Sequence, residues 1–192
     1  MESKRPVVVI VGAGFGGLAA VRALEKEAVD IVLVDQHNHH LFQPLLYQVA
    51  TAWLSPADIA APVRNVFSRQ KNLSVVLGKV VAVDAGGNNL TIDNGMHVYE
   101  QAYDYLALAT RARHDYFGND KREAFAPGLK TLDDAIGIRE RLLMAFERAE
   151  MATDPEERDA HLTIVIVGAG ATGVEMAGSI VELARAALVK DF

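Results

Sequence analysis

Val7-Val8-Val9-Ile10-Val11 runs straight into Gly12-Ala13-Gly14-Phe15-Gly16-Gly17, and this stretch decides the fold. Unbroken β-branched residues predict a strand buried on both faces, as in a parallel sheet. The glycine spacing that follows predicts a sharp turn into a helix. Gly12 allows the turn, Gly14 lets a pyrophosphate approach the backbone, and Gly17 lets the helix pack close to the strand. The helix start then offers N–H groups and a positive dipole end to phosphates. A helix over 18–26 leads to a second strand, Ile31-Val32-Leu33-Val34, which ends in Asp35. Asp35 falls about 20 residues beyond the glycines, where such a fold sets the carboxylate that accepts from the ribose hydroxyls. An acid there disfavours a 2′-phosphate on this first nucleotide.

The pattern recurs near the other end. Leu162-Thr163-Ile164-Val165-Ile166-Val167 precedes Gly168-Ala169-Gly170-Ala171-Thr172-Gly173, and a helix is expected from Thr172 to about 184. Two such junctions suggest two dinucleotides, most simply a flavin and a nicotinamide. The second unit has one strand and one helix, with no second strand and no ribose-reading acid. The expectation is therefore a piece of a longer protein, or a truncated one.

The 192 residues suit one large α/β domain or about one and a half ordinary ones. With 51 % hydrophobic residues there is enough apolar material for a core, and a net charge of −6 gives no electrostatic case for nucleic acid. The absence of cysteine excludes disulfides, thiolate metal sites and redox Cys pairs within the chain. Lys4 and Arg5 before an apolar run mimic a signal peptide, but glycines break that run. No stretch reads as a transmembrane helix. His37, His39 and His40 cluster without a carboxylate or Cys ligand set, so a structural or flavin-adjacent role is expected and no metal.

Between the junctions, 36–70 reads as irregular with a helix around 58–68, and 73–109 as strands divided by Asp84–Asn89 and Asp93-Asn94-Gly95 turns. Segment 111–130 reads as a loop. Thr131 caps a helix with Asp133 and Asp134 in its first turn and a stripe of Ile136, Leu142, Leu143 and Phe146 best explained by core packing. The charged run Asp154–Asp159 is expected to be a solvated linker.

Four segments resemble the type II NADH:quinone oxidoreductases, or alternative NADH dehydrogenases. They are His39–Thr51 (HHLFQPLLYQVAT), Leu54–Arg64 (LSPADIAAPVR), Ala112–Gly118 (ARHDYFG) and the second glycine junction with Thr172-Gly173-Val174-Glu175. The resemblance spans essentially the whole chain, in order, and corresponds to roughly the N-terminal half of a family member. It implies a Rossmann-like α/β fold with a parallel sheet and a small antiparallel meander. It further implies an FAD-binding segment over 1–130, a linker and helix over 131–160, and the start of an NADH-binding domain over 161–192. In such enzymes NADH passes a hydride to flavin N5 and the reduced flavin passes electrons to a quinone.

Carried over by motif, Gly12, Gly14, Phe15, Gly16 and Gly17 would hold the FAD pyrophosphate, and Asp35, with Gln36 beside it, the adenosine ribose. Val80 would offer its backbone to adenine, and Ala109 and Thr110 would close the phosphate side. Pro44 and Leu45 would lie against the isoalloxazine. Gly168, Gly170, Ala171, Thr172 and Gly173 would meet NADH, with Glu175 as the catalytic candidate near the nicotinamide. Related disulfide reductases relay electrons through a Cys pair beside the flavin. Here that region reads Phe42-Gln43-Pro44-Leu45-Leu46, so electrons would pass directly from flavin to an acceptor. The resemblance also implies a respiratory-chain role, with the chain cytoplasmic or, in a longer protein, peripheral on the cytoplasmic face of the inner membrane, and a homodimer is possible. The residues leave other readings open: a ferredoxin reductase-like or NADH oxidase/peroxidase-like flavoprotein, or a non-catalytic nucleotide-binding remnant.

One position departs from the family's Ala-Thr-Gly, because Arg111 follows Ala109-Thr110. A left-handed backbone there would cost an arginine about 1–2 kcal/mol, and Arg111→Gly would then raise FAD occupancy. Alternatively the guanidinium pairs with a phosphate.

Overall fold

The computed structural model describes residues 4–112 and 114–187. Arg113, part of the ARHDYFG resemblance, lies outside the described residues. The chain packs as two units, residues 1–41 with 60–112 and residues 42–59 with 113–192, each of which is described by itself.

The first unit opens with β1 (Val7–Val11), α1 (Phe15–Ala23) and β2 (Asp30–Asp35), as the glycine pattern predicts. Next, β3 (His39–Leu41) pairs antiparallel with β4 (Ala60–Pro62), and α4 (Val63–Val66) follows directly. The helix expected around 58–68 is therefore broken. Pro62 sits where β4 ends, and its ring cannot continue a helix through that point. Strands β5 (Leu73–Leu77) and β9 (Tyr105–Leu108) join the main sheet, whereas β6 (Lys79–Asp84), β7 (Asn89–Asp93) and β8 (Val98–Ala102) form a meander.

The main sheet is four-stranded in the order β5-β2-β1-β9, and every pairing is parallel. This is the 3-2-1-4 order of a dinucleotide-binding fold. Alternation along the central strands sorts the core. Val8, Ile10, Ile31 and Leu33 pack with Leu18 and Val21 of α1 and with Val63 and Phe67. Val9, Val11 and Val34 pack with Leu90 and Ile92 of β7. The sheet thus has helices on one face and the meander on the other. That is why β1 carries no polar residue: neither face meets water.

In the second unit a 3-10 turn (Gln43–Leu45) leads to α2 (Leu46–Ala50), and α3 (Pro56–Ile59) follows. Residues 120–124 form another 3-10 turn within the expected loop. The 20-residue α5 (Leu132–Met151) starts at Thr131, whose side chain accepts from the Asp134 N–H while Asp134 accepts from the Thr131 N–H. This capping box satisfies two N–H groups that a helix start leaves open. Its buried stripe is Ala135, Leu142, Phe146 and Ala149, with Ile136 and Leu143 half-buried.

The charged run expected as a linker is instead helical: α6 spans Pro155–Leu162, with Asp154 capping and Pro155 in the first turn. Proline suits that position because its missing N–H is not needed there. Residues 163–169, expected to continue a strand from Leu162, pair with no strand among the described residues, and Leu162 itself closes α6. Val165 is 80 % and Val167 82 % exposed. Among the described residues the β-branched run lacks a neighbouring strand to supply its hydrogen bonds. The last described helix, α7 (Ala171–Glu182), passes into a π-helical turn over Leu183–Ala187.

Candidate dinucleotide site

At the end of β1 the chain turns through Gly12, whose φ of +109° strains any L side chain. The Gly12 N–H donates to the Val34 carbonyl at 2.7 Å, and the Ala109 N–H donates to the Val11 carbonyl at 2.8 Å. A β-carbon on Gly12 would collide with the Ala109 carbonyl, and one on Gly17 with the Gly12 carbonyl. Beside Gly14 nothing lies within 4 Å of where a β-carbon would stand, so the backbone faces open space. Gly14 begins α1 with no side-chain cap and no acid in the first turn. The turn is closed on the protein side and open on the other, as an anion approaching a helix start requires. Phe15, half exposed, makes an edge contact with His40 at 5.0 Å between ring centres, and Gly16 is exposed.

Asp35 reaches back to this turn. One carboxylate oxygen accepts from the Ala13 N–H at 2.6 Å, and the other accepts from the His37 N–H at 2.8 Å, with His37 Nδ1 at 3.3 Å. Asp35 therefore ties the end of β2 to the glycine turn, a duty the ribose reading did not include. A carboxylate has about four acceptor sites, and those these partners leave open remain for hydroxyls. Gln36 is exposed beside it. The histidine cluster has structural partners: His40 Nδ1–H donates to the Ala13 carbonyl, and His39 Nδ1 donates to Asn38 Oδ1. Val80 sits on β6, an outer strand of the meander, paired in register with Ile92 next to a bulge.

Ala109, Thr110 and Arg111 leave β9 at the same end of the sheet as Gly12. An ideal β-carbon on Gly12 would stand 3.3 Å from the Thr110 nitrogen. The backbone strain considered for Arg111 is absent. Positive φ among described non-glycine residues occurs at Ala52, Asn88 and Phe117, and Arg111 is not one of them. An arginine needs no glycine-like conformation here, so the strain-based expectation for Arg111→Gly has no basis. The Nη2 atom of Arg111 is buried and has no hydrogen-bond partner among the described residues.

The other candidate residues belong to the second unit. Pro44 is exposed and Leu45 half-buried in the 3-10 turn. Gly168 has φ +107°, and a β-carbon on Gly173 would collide with the Gly168 carbonyl, so this turn copies the first. Gly170 caps α7, with Ala171 and Thr172 exposed in its first turn. Glu175, exposed on α7, lines an open cavity of about 510 Å³ with Tyr47, Gln48, Trp53 and Glu182. One turn further on, the buried Ser179 hydroxyl lies 2.6 Å from Thr51 Oγ1, which itself donates to the Tyr47 carbonyl. With the Thr51 proton committed there, Ser179 is the donor. This pair fastens the helix carrying Glu175 to the end of α2. Sequence reading missed Tyr47, Gln48, Trp53 and the Thr51–Ser179 pair, because their partners lie far apart in the chain. The one local signal is Ser179 three residues after Met176, on its buried face.

The family pattern described as pyridine nucleotide-disulphide oxidoreductase matches residues 6–191. The chain belongs to that family. It is a member without cysteine, so no disulphide can form within it. It is 50 % identical over 189 residues to the type II NADH:quinone oxidoreductase Ndh of Mycobacterium tuberculosis, and the match takes in 98 % of this chain and 41 % of that protein. It is 52 % identical over 185 residues to NdhA of the same organism, with 96 % and 39 % covered. NDH2 of Plasmodium falciparum, solved in complex with NADH, superposes with a TM-score of 0.89 at 25 % identity, covering 98 % of this chain and 39 % of that one. The chain thus spans about two fifths of the relatives it matches. The parallel sheet with its small antiparallel strands is the arrangement the resemblance implies.

Proposed function

We propose that the chain binds FAD at the Gly12 turn and, within a longer type II NADH:quinone oxidoreductase, serves the transfer of reducing equivalents from NADH to a quinone. One observation carries the reading: β1 and β9 meet where the strand order reverses, with an open glycine turn at their carboxyl ends. In open α/β sheets that crevice is where ligands bind. The residues present fit a dinucleotide, since Gly14 leaves room for a pyrophosphate and Asp35 keeps free acceptor sites.

FAD, when bound, supplies the redox centre between a hydride donor and a quinone. The chain's own residues bind and orient. The start of α1 would face the phosphates, and Asp35 would accept from the ribose while it holds the Ala13 N–H. Val80 would present backbone to adenine, and Ala109 and Thr110 would close the phosphate side. Gly168, Gly170, Ala171, Thr172 and Gly173 receive the NADH pyrophosphate. Glu175 would stand at the nicotinamide, on a helix that the Ser179–Thr51 hydrogen bond fastens to the end of α2. This chain itself has no thiol to relay electrons. Quinones dissolve in lipid, so the whole protein is proposed to work at a membrane surface; no described helix is long and apolar enough to cross one.

Reconstitution tests this reading. The chain, incubated with FAD and desalted, is expected to retain about one flavin per chain by visible absorbance. Hydride transfer demands near-attack geometry, and residues 163–169 have no sheet partner among those described. Stopped-flow mixing of the 192-residue chain alone with NADH should therefore give little bleaching. Loss of all flavin on desalting contradicts the FAD site. Fast bleaching, reversed by quinone, contradicts the view that this chain alone is incomplete for turnover.

A further inference from the structure

Arg111 is a cation in search of an anion. Its Nη2 is shielded from solvent, and among the described residues it has no hydrogen-bond partner and no ion pair. A buried guanidinium N–H left unpaired costs free energy, and native proteins seldom leave one so. The residue leaves β9 three positions past the last strand residue, Leu108, and one past Thr110, whose backbone nitrogen borders the Gly12 turn. Its neighbour Ala109 lies 3.9 Å, at Cβ, from where a β-carbon on Gly16 would be. Arg111 is thus at the strand-order reversal, on the β9 side, with the open α1 start on the β1 side.

We infer that Arg111 pairs with the pyrophosphate of the dinucleotide bound at the Gly12 turn, adding a side-chain cation to a site otherwise built from backbone N–H groups. This rests on the FAD reading above. Guanidinium matches phosphate oxygens with two parallel N–H donors, whereas an ammonium gives one point contact. Since Arg111 has no left-handed φ, its side chain is not a strained intruder.

The test is FAD titration of the full chain followed by flavin fluorescence, for the wild type, Arg111→Gln and Arg111→Lys, at low and moderate salt, with thermal melts of each apoprotein. Loss of a charge-assisted bond predicts roughly ten- to a hundredfold weaker FAD binding in Arg111→Gln. Arg111→Lys should recover part of the loss, and the salt dependence should be shallower in Arg111→Gln than in the wild type. The Arg111→Gln apoprotein should melt no lower than the wild type, because an unpaired charge has been removed. Wild-type binding with unchanged or tighter binding in Arg111→Gln overturns the Arg111 assignment alone. A lower apoprotein melt with unchanged salt dependence also overturns it, by making Arg111 structural. No FAD binding by the wild type overturns the FAD site and this inference with it.

Discussion

The two glycine turns are near copies, yet their surroundings differ. Gly12 and Gly168 have φ of +109° and +107°, and in each turn the later glycine, Gly17 or Gly173, is pressed against the carbonyl of the first. Before the first turn, Val9 and Ile10 are fully buried between β2 and β9; before the second, Val165 is 80 % and Val167 82 % exposed. A β-carbon on Gly12 would strike Ala109, whereas nothing lies within 4 Å of where a β-carbon on Gly168 would stand. The strand-to-helix turn is local and forms from its own glycines. The crevice that makes it a binding site is not local, because it needs the next strand of the sheet. The first turn has that strand, and the second has none among the described residues.

This contrast can be broken most sharply at the glycines. Gly12→Ala incurs about 1–3 kcal/mol of backbone strain and about 1–3 kcal/mol of overpacking against Ala109. Gly168→Ala incurs only the strain. Chemical denaturation should show the larger loss for Gly12→Ala; equal losses would mean that β9 does not close the first turn.

The strands come next. Ile10→Ala should cost about 2–5 kcal/mol through lost burial and a cavity, while Val165→Ala should stay within about 0.5 kcal/mol. Similar losses in the two variants would mean that residues 163–167 are buried in solution.

Of the losses expected around the first turn, the smallest is at Asp35. Asp35→Ala leaves the buried Ala13 N–H without its acceptor and should cost the apoprotein about 1.5–3 kcal/mol, the range for a hydrogen bond to a charged group. FAD binding should weaken as well. An unchanged apoprotein melt would show that the carboxylate does not hold the turn, and unchanged FAD affinity would remove it from the ribose.

What was legible in the sequence follows the same local rule. The β1–α1–β2 unit, the Asp35 strand end and the Thr131 cap are each written within a few residues, by glycine spacing, β-branched runs and a capping side chain. The α6 cap was also written locally, in Asp154-Pro155-Glu156, but its charges read as solvated chain. The break at 58–68 depends on β4 pairing with His39–Leu41, some twenty residues earlier by the register of His39 with Pro62. The Thr51–Ser179 pair spans 128 positions. The unpaired Nη2 of Arg111 shows only when the whole fold is assembled, and the strain weighed for that residue depended on a φ that the sequence does not specify.

Hydrogen–deuterium exchange of the 192-residue chain with and without FAD tests most directly whether the first turn is the assembled dinucleotide site. The account predicts slowed exchange in peptides covering residues 8–20 and 105–112, and no change over 163–175. Retained flavin with no protection near Gly12, or with protection confined to the Gly168 turn, would contradict it.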